Sequence, residues 1–273
     1  MPQVVVKLLA SPAEFHQCER LQRQVWGAIG VSSEVMTVTQ KYGGAVIGAV
    51  ARDRVVGFVY AFLARYHGRL AHWSHIMAVE GKFRDQGVGF QMKLFHRQLA
   101  LKHGLQSICW TYDPLQSRNA NLNLARLGAA VEAYVPNCYG RFPSRLERGL
   151  PSDRFVVHWR PGTARVAARL RGERPPFDAS WPRVNLTRMN ARGFPENRAL
   201  RLRLADPRLL VEIPARTDEM RRQALPLARR WRAETRRIFE RYFSAGYRVE
   251  DFFPPSPASG GQCFYLLRRS PRR

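Results

Sequence analysis

The sequence predicts an α/β protein built from two lobes, and three observations predict it. Three apolar segments separated by short polar turns, residues 45–50, 55–66 and 70–79, indicate successive antiparallel strands. A glycine-bearing turn then leads into an amphipathic helix and another apolar strand. Near the C-terminus, a strand, a helix and two further strands follow an Arg- and Pro-rich stretch. We therefore expect a mixed, mostly antiparallel sheet flanked by helices, with a second, smaller α/β lobe.

The composition fits a globular protein with an unusual charge. The 273 residues allow one large domain or two small ones, and the hydrophobic fraction of 45% is enough for a core. The formal net charge is +24, yet only five basic residues are lysines, and the arginines are scattered through every segment. This scatter, without interleaved aromatic residues, indicates a compositional bias more than a nucleic-acid surface.

Cysteine usage and hydropathy suggest the compartment. The four cysteines form no Cys-x-x-Cys pair, so the sequence predicts neither a zinc site nor a disulfide framework, and no metal. The chain opens directly into an apolar strand without the pattern of a signal peptide. Its longest apolar run, residues 55–64, is too short to cross a bilayer. We expect a soluble, cytoplasmic protein with no membrane partner.

The N-terminal elements follow from local signals. Residues 4–9 are β-branched and apolar, which predicts a strand. Ser11 is placed to cap a helix that has Pro12 at its first position and Glu14 at its third. The apolar residues of this helix recur at helical spacing and are assigned to the core. Residues 27–42 are mixed and predict a short helix and a loop.

The central stretch is a strand, a turn, a helix and a strand, in which the turn contains Arg84, Gly87 and Gly89. Glycines let a ligand approach the main chain closely, and the helix start presents unpaired N–H groups that suit a pyrophosphate. A dinucleotide fingerprint needs a third glycine where Met92 stands, and a Walker loop needs a Gly-Lys-Ser/Thr ending that is absent. An ordinary glycine-containing turn is the remaining alternative.

The pattern Arg84-x-x-Gly87-x-Gly89, after a strand that ends in Ala78-Val79, resembles the acyl-CoA loop of the GNAT superfamily of N-acetyltransferases. The Leu-Gly-Ala ending at residues 127–129 resembles the second motif of that family. The resemblance covers about residues 1–160, and it implies a GNAT-type sheet.

Three shorter runs sharpen the resemblance. Ser74-His75, residues 113–120 and residues 134–137 look like a bacterial GNAT branch of unassigned substrate.

The resemblance implies an acyl-CoA-dependent N-acyltransferase. Acetyl-CoA or another acyl-CoA would be the co-substrate, and an amine on a small molecule or a protein would be the acceptor. Pantetheine would lie between the strands at residues 73–79 and 107–112, and the protein would act as a monomer or homodimer. The implied CoA-binding residues are Met77, Ala78, Val79, Arg84, Asp85, Gln86, Gly87, Val88, Gly89, Asn119 and Asn123.

The candidate general base is His75, on the strand that precedes the CoA loop. An unperturbed histidine titrates close to neutral pH, which suits removal of a proton from an amine. A structural histidine bonded to a carbonyl is an equal alternative, and His72 and Glu80 are further candidates for the base.

The resemblance also implies a proton donor for the departing thiolate. The family places a tyrosine four residues before the glycine of the second motif, where this chain has Leu124. Tyr134 and Tyr139 are the candidate substitutes, or the thiolate leaves unassisted. The departure at Leu124 favours a non-catalytic acyl-CoA-binding or regulatory module as the alternative function. A basic nucleic-acid-associated protein is a third reading, supported only by the net charge.

The rest of the chain is predicted as a connecting segment, residues 161–208, and a C-terminal lobe, residues 209–273. The segment is rich in Arg, Pro and Gly, so we expect little regular structure there. The lobe is predicted to contain a strand, a helix and two further strands, in that order, and Pro226 should break the helix. Because this order matches the second half of a GNAT unit, we interpret the lobe as a degenerate GNAT-like half-repeat, with a simple α/β appendage as the alternative.

Overall fold

The computed structural model describes residues 2–28, 30–140 and 149–269. The helices are α1 (Pro12–Trp26), α2 (Ser33–Lys41), α3 (Val88–Lys102), α4 (Ser117–Ala120), α5 (Ala164–Leu170), α6 (Thr217–Gln223) and α7 (Leu225–Ser244). The strands are β1 (Val5–Leu8), β2 (Ala45–Ala51), β3 (Arg54–Tyr66), β4 (Arg69–Val79), β5 (Ile108–Tyr112), β6 (Ala130–Val135), β7 (Arg154–Trp159), β8 (Asn185–Met189), β9 (Pro195–Leu200), β10 (Arg208–Ile213), β11 (Tyr247–Phe253) and β12 (Cys263–Arg269).

The largest sheet has seven strands in the order β1-β2-β3-β4-β5-β7-β6. Strands β1 to β4 pair antiparallel with their neighbours, and β6 pairs antiparallel with β7. Strands β4 and β5 are parallel, because α3 carries the chain between them. The predicted mixed, mostly antiparallel sheet flanked by helices is confirmed.

Contacts divide the chain into two compact units. The first contains residues 2–110 and 159–163, and the second contains residues 111–140, 149–158 and 164–269 among those described. The boundary therefore falls within β5, whereas the sequence suggested boundaries at residues 160 and 208. Whether those predicted segments fold as separate domains stays a prediction.

The first unit buries both faces of β2 and β3. Val46 and Phe58 pack in one cluster with the apolar faces of α1 and α2, while Ile47 and Val59 pack in another with α3. Neighbouring strand residues point to opposite faces, so both faces must be apolar. The first helix begins as predicted, with Ser11 and Glu14 forming a capping box and a proline in the first turn.

The second unit contains a three-stranded sheet with the order β10-β12-β11, all antiparallel. In this sheet, as in the strand order β5-β7-β6, the last strand of the series lies between the other two. The predicted succession of strand, helix and two strands is present, and the half-repeat itself stays a prediction. Pro226 lies in the first turn of α7, and it separates α6 from α7 as expected.

The expectation of little regular structure in residues 161–208 is wrong. This segment forms α5 and an antiparallel hairpin of β8 and β9. The hairpin turn is closed by Asn190, whose Oδ1 accepts hydrogen bonds from the N–H groups of Arg192 and Phe194, and by Gly193 at φ 73°. A short turn that begins with Asn and ends with Gly, between extended residues, is a hairpin signal. The high Arg content of the segment obscured this signal.

No helix within residues 2–28, 30–140 and 149–269 combines the length and the apolar character that a membrane-spanning helix needs.

Candidate functional site

The site begins at an irregularity in β4. Tyr60 pairs with Ile76 and Ala61 pairs with Ser74, so His75 is an extra residue without a partner on β3. Such a bulge bends the strand and re-aims the side chains around it. The sequence gives no sign of this bulge, because register depends on pairing with another strand.

Strands β4 and β5 are neighbours only briefly. They pair at His72 with Ile108 and at Trp73 with Cys109, and the pairing between them ends there. Beyond Trp73 the rest of β4, to Val79, runs on without pairing to β5. We call the place where this pairing ends, together with the unpaired edge of β4 beyond it, the wedge.

The main chain of β4 faces this wedge at alternate residues. The N–H of Glu80 donates to the carbonyl of Val56 on β3 at 2.8 Å. By the two-residue alternation of a strand, Met77 and Val79 direct their backbone groups to the opposite edge. The Nε of Arg84 reaches the Val79 carbonyl at 2.9 Å, which agrees with that orientation. The N–H of Met77 is thus a backbone donor that points into the wedge.

The turn after β4 exposes its main chain. Asp85 has φ 61° and Gly87 has φ 79°, two left-handed residues that reverse the chain within a few residues. Gly87 is the N-cap of α3, and no side chain caps this helix end. A Cβ at Gly87 would meet no atom within 4 Å, so the space above the turn is open.

The helix start at this turn can hold an anion. The N–H groups of Val88 and Gly89 belong to the first turn of α3, where no intrahelical acceptor exists, and the positive end of the helix dipole lies at the same place. Arg84, Asp85 and Gln86 are exposed around it. Gln86 is tied to the turn through a hydrogen bond from its Nε2 to the carbonyl of Lys82, at 2.6 Å.

His75, the candidate base, is exposed on the bulge. Its ring lies near those of Tyr60 and Phe62, with centroids 6.4 and 6.1 Å away. Partial desolvation by this aromatic surface lowers its pKa below the ordinary value of 6.5. A neutral imidazole therefore prevails at neutral pH, which is the form that a general base requires.

The other two candidates for the base are occupied elsewhere. The ring of His72 is buried, with Nε2 at 3.0 Å from the carbonyl of Gly43 and Nδ1 at 2.9 Å from Nε2 of His96. The carboxylate of Glu80 pairs with Arg54 at 2.8 Å and with Lys82 at 3.5 Å. Both side chains therefore have structural partners, and His75 is the one with a free approach.

A buried lysine on α3 was missed by the sequence reading. Lys93 is 2% exposed, its Nζ donates to Ser74 Oγ at 2.9 Å, and it lies 3.9 Å from the ring centre of Trp110. Burial lowers its pKa to about 7. Lys93 stands among apolar helix residues in the sequence, where a lysine usually indicates a solvent-exposed position.

The remaining predicted residues belong to the second unit. Asn119 is exposed on α4, while Asn123 is buried in a π-helical turn, Asn121–Arg126, and its carbonyl accepts from the N–H of Ala129. Their contact with CoA stays a prediction. Leu124, at the position of the family's tyrosine, is completely buried and apolar.

The two tyrosines proposed as substitutes differ in their surroundings. Tyr134 donates its hydroxyl proton to Asp153, which also pairs with Arg236, and burial together with Asp153 raises the pKa of Tyr134. A raised pKa makes it a weaker acid. Tyr139 is exposed, and its hydroxyl shares a hydrogen bond with Thr111 Oγ1 at 2.7 Å.

No cluster of three or more His, Cys, Asp or Glu side chains suited to a metal ion occurs in the described part of the chain.

The fold can be assigned from the arrangement above. An antiparallel meander leads through a glycine turn and α3 to a parallel strand, and α4 then leads to two strands that complete the sheet in the order β5-β7-β6. This succession of meander, glycine turn, helix and strand is the one that the GNAT resemblance implies. The chain has a GNAT fold.

Comparison with solved structures identified acetyltransferases of low sequence identity. No protein-family model matches the sequence, and no curated protein is significantly similar to it. The ribosomal-protein-S18-alanine N-acetyltransferase of Escherichia coli is 12% identical, with a TM-score of 0.48, 59% of this chain covered and 96% of that one. A GNAT-family acetyltransferase of Streptococcus pneumoniae is 13% identical, with a TM-score of 0.47 and coverages of 57% and 98%. Naa50 of Arabidopsis thaliana, in complex with a bisubstrate analogue, is 14% identical, with a TM-score of 0.46 and coverages of 57% and 97%.

Proposed function

We propose that the protein is an acyl-CoA-dependent N-acyltransferase that transfers an acyl group, with acetyl-CoA as the donor, directly to an amine. The observation that supports this most is the wedge between β4 and β5, which leads from the bulge at His75 to the uncapped start of α3. An extended pantetheine fits a gap between two strands, and a pyrophosphate fits a helix start.

Each group along the wedge has a chemical role in that reaction. The N–H groups of Val88 and Gly89 hold the pyrophosphate, with Arg84 adding a charge beside them. The N–H of Met77 holds the thioester carbonyl and stabilises the negative charge that develops on its oxygen in the tetrahedral intermediate. His75 removes the proton from the attacking amine. The acceptor is an amine on a small molecule or on a protein.

One observation favours a second function. Leu124 replaces the family's proton donor with a buried apolar side chain, and Tyr134 is committed to Asp153. A protein that lacks the acid could bind acyl-CoA as a regulatory ligand without turnover.

Two measurements separate these functions. Titration calorimetry with acetyl-CoA tests binding, and release of free CoA thiol in the presence of an amine panel that includes peptides and aminoglycosides tests transfer. We expect binding and amine-dependent thiol release. Binding without release from any amine would favour the regulatory module, and absence of binding would reject both functions.

A further inference from the structure

Lys93 is buried without an opposite charge. It is the one lysine of the chain's five that is not exposed, its Nζ donates to the hydroxyl of Ser74, and it lies over the ring of Trp110. Among the residues that the structure describes, no carboxylate pairs with it. A buried ammonium without an anionic partner strongly destabilises the folded state, so stability does not explain why a lysine occupies this position.

The position of the amine coincides with the apex of the wedge. Ser74 and Trp110 each come directly after the last paired residues of their strands, Trp73 on β4 and Cys109 on β5. Lys93 contacts both of them, so its Nζ lies where the pairing of the two strands ends. A pantetheine whose phosphates lie at the start of α3, at the other end of β4, directs its sulfur toward this apex.

We propose that Lys93 is the general acid of the transfer reaction, giving its proton to the CoA sulfur as the thiol departs. The proposal rests on the proposed function. It gives the reaction a proton donor, a role that the apolar Leu124 cannot fill. The amine acceptor forms a C–N bond to the thioester carbon, and the C–S bond breaks with its electron pair on sulfur. The Lys93 ammonium then transfers one proton to the thiolate. After CoA leaves, the neutral amine of Lys93 regains a proton from solvent.

The surroundings of Lys93 suit this exchange. Burial lowers its pKa to about 7, so the ammonium releases its proton much more readily than that of an exposed lysine. The titratable groups nearby are His96, one turn along α3, His72 on β4 and the buried thiol of Cys109 on β5. Burial holds the pKa values of both histidines low, so neither competes for the proton at neutral pH.

Lysine is also the right basic residue for this position. An arginine stays protonated at any ordinary pH, so it could stabilise a thiolate but could not donate a proton to it. The chain uses arginine for all but five of its basic residues, yet lysine stands at the buried apex. The hydroxyl of Ser74 accepts from Nζ and fixes the amine in place, which makes Ser74 a positioning residue.

The test measures the pKa of the thiol of bound CoA, which requires no acceptor. Thiolate absorbance is followed against pH in complexes of CoA with the wild type and with Lys93→Met. The matched control is Lys102→Met, an exposed lysine on the same helix, and Kd values for desulfo-CoA check that the variants still bind. A nearby ammonium lowers the pKa of the bound thiol by about one unit or more.

We expect the lowered thiol pKa in the wild type and in Lys102→Met, and its return to about 8.5 or above in Lys93→Met. An equal thiol pKa in Lys93→Met and the wild type, with CoA bound, would overturn the assignment of Lys93 and leave the proposed function standing. Absence of CoA binding by the wild type would overturn both. If Lys93→Met does not fold, the uncharged Lys93→Gln replaces it, and a thiol pKa identical to that of the wild type then rejects the proposal.

Discussion

His75 gains its role from its position on the bulge. A regular strand would place alternate side chains on opposite faces, but the extra residue brings His75 out beside the diverging edge of β4. The sequence could predict His75 as a candidate because its residue type and its distance from the glycine turn are local features. It could not predict the bulge, or the pairing of His72 with His96 that excludes His72 as a base.

The His75→Ala variant should lower kcat by about a hundredfold, with little change in acetyl-CoA affinity. The base must be neutral, and its pKa lies below 6.5, so the wild-type rate should fall as the pH drops through that lowered value. The variant should lose this acid limb. The measurement is kcat against pH, with the amine that gives thiol release, and His16→Ala, an exposed histidine on α1, is the control. Wild-type kcat at every pH would make His75 a structural residue.

Lys93 also predicts an unusual effect on stability. Its pKa falls from 10.5 when unfolded to about 7 when folded, so the unfolded state binds more protons between these values. The free energy of unfolding therefore rises as the pH increases between these two pKa values. Below pH 7 Lys93 is charged in both states, and the destabilisation caused by burying its ammonium is at its maximum. Lys93→Met should raise the free energy of unfolding at pH 7 by a few kcal/mol, roughly, and should flatten its pH dependence.

Urea unfolding of the wild type, Lys93→Met and Lys102→Met at several pH values between 6 and 10 measures this effect. The difference between variants is the informative quantity, because the many arginines and tyrosines contribute equally to all three proteins. A Lys93→Met protein that is less stable than the wild type at pH 7 would contradict the prediction, since it would mean that the amine gains more from Ser74 and Trp110 than its burial costs.

The elements of the first unit were largely readable from the sequence. Ser11 and Glu14 specify the start of α1, and the apolar runs with their short turns specify β2, β3 and β4. These signals are local, so neighbouring residues carry them completely. The end of the pairing between β4 and β5 could not be predicted, since no local pattern reports where two strands stop pairing.

The start of α3 is the element on which the proposed CoA site depends. Gly89→Val should leave a folded protein whose Kd for acetyl-CoA rises about a hundredfold or more, because a side chain there obstructs the approach of the pyrophosphate to the helix N–H groups. Losing two charge-assisted hydrogen bonds of about 1.5 kcal/mol each gives this magnitude. Arg84→Ala should weaken binding less, because an exposed guanidinium contributes less than fixed amides.

Calorimetry on both variants, with melting curves to check folding, decides the role of this turn. Binding of acetyl-CoA by Gly89→Val as tightly as by the wild type would show that the turn holds no phosphate. The acyl-CoA proposal would then fail together with the site.

At the scale of the whole molecule, the sequence predicted the order of elements better than their association. It placed a strand, helices and two strands after residue 208, and these elements form one antiparallel sheet with α6 and α7 between its first two strands in sequence. It did not predict that residues 111–158 group with this C-terminal region in one compact unit. The contacts that join these two regions connect residues about 80 or more positions apart in the sequence, and no local sequence pattern predicts such contacts.

The second unit is held together by buried polar and aromatic contacts. Phe155 on β7 packs against Phe239 at 4.7 Å between ring centroids and against Tyr265 at 5.4 Å. Phe239 of α7 also contacts Tyr265 of β12, at 5.8 Å between ring centroids. Buried Arg232 on α7 pairs with Asp113 at 2.6 Å between Nη2 and Oδ2.

A chain that ends at Trp159 should therefore not give a stable protein, although it contains every strand of the GNAT sheet. Truncation leaves Asp113 and the completely buried Asp153 without their arginines, and removing one partner of a buried ion pair costs roughly 3–5 kcal/mol. It also exposes Phe155, whose burial is worth about 2 kcal/mol or more. Together these losses approach the whole free energy of unfolding of a typical domain.

The measurement is the cooperativity of thermal unfolding and the amide dispersion of the 1–159 protein, beside the full chain. The full chain with Phe239→Ala is the intermediate control, because it removes one aromatic partner of Phe155 and leaves both arginines in place. We expect a cooperative but lowered transition in Phe239→Ala, and aggregation or loss of the transition in the truncated protein. A folded 1–159 protein that binds acetyl-CoA with the affinity of the full chain would show that the C-terminal region is an appendage, and would support the boundary at residue 160 that the sequence suggested.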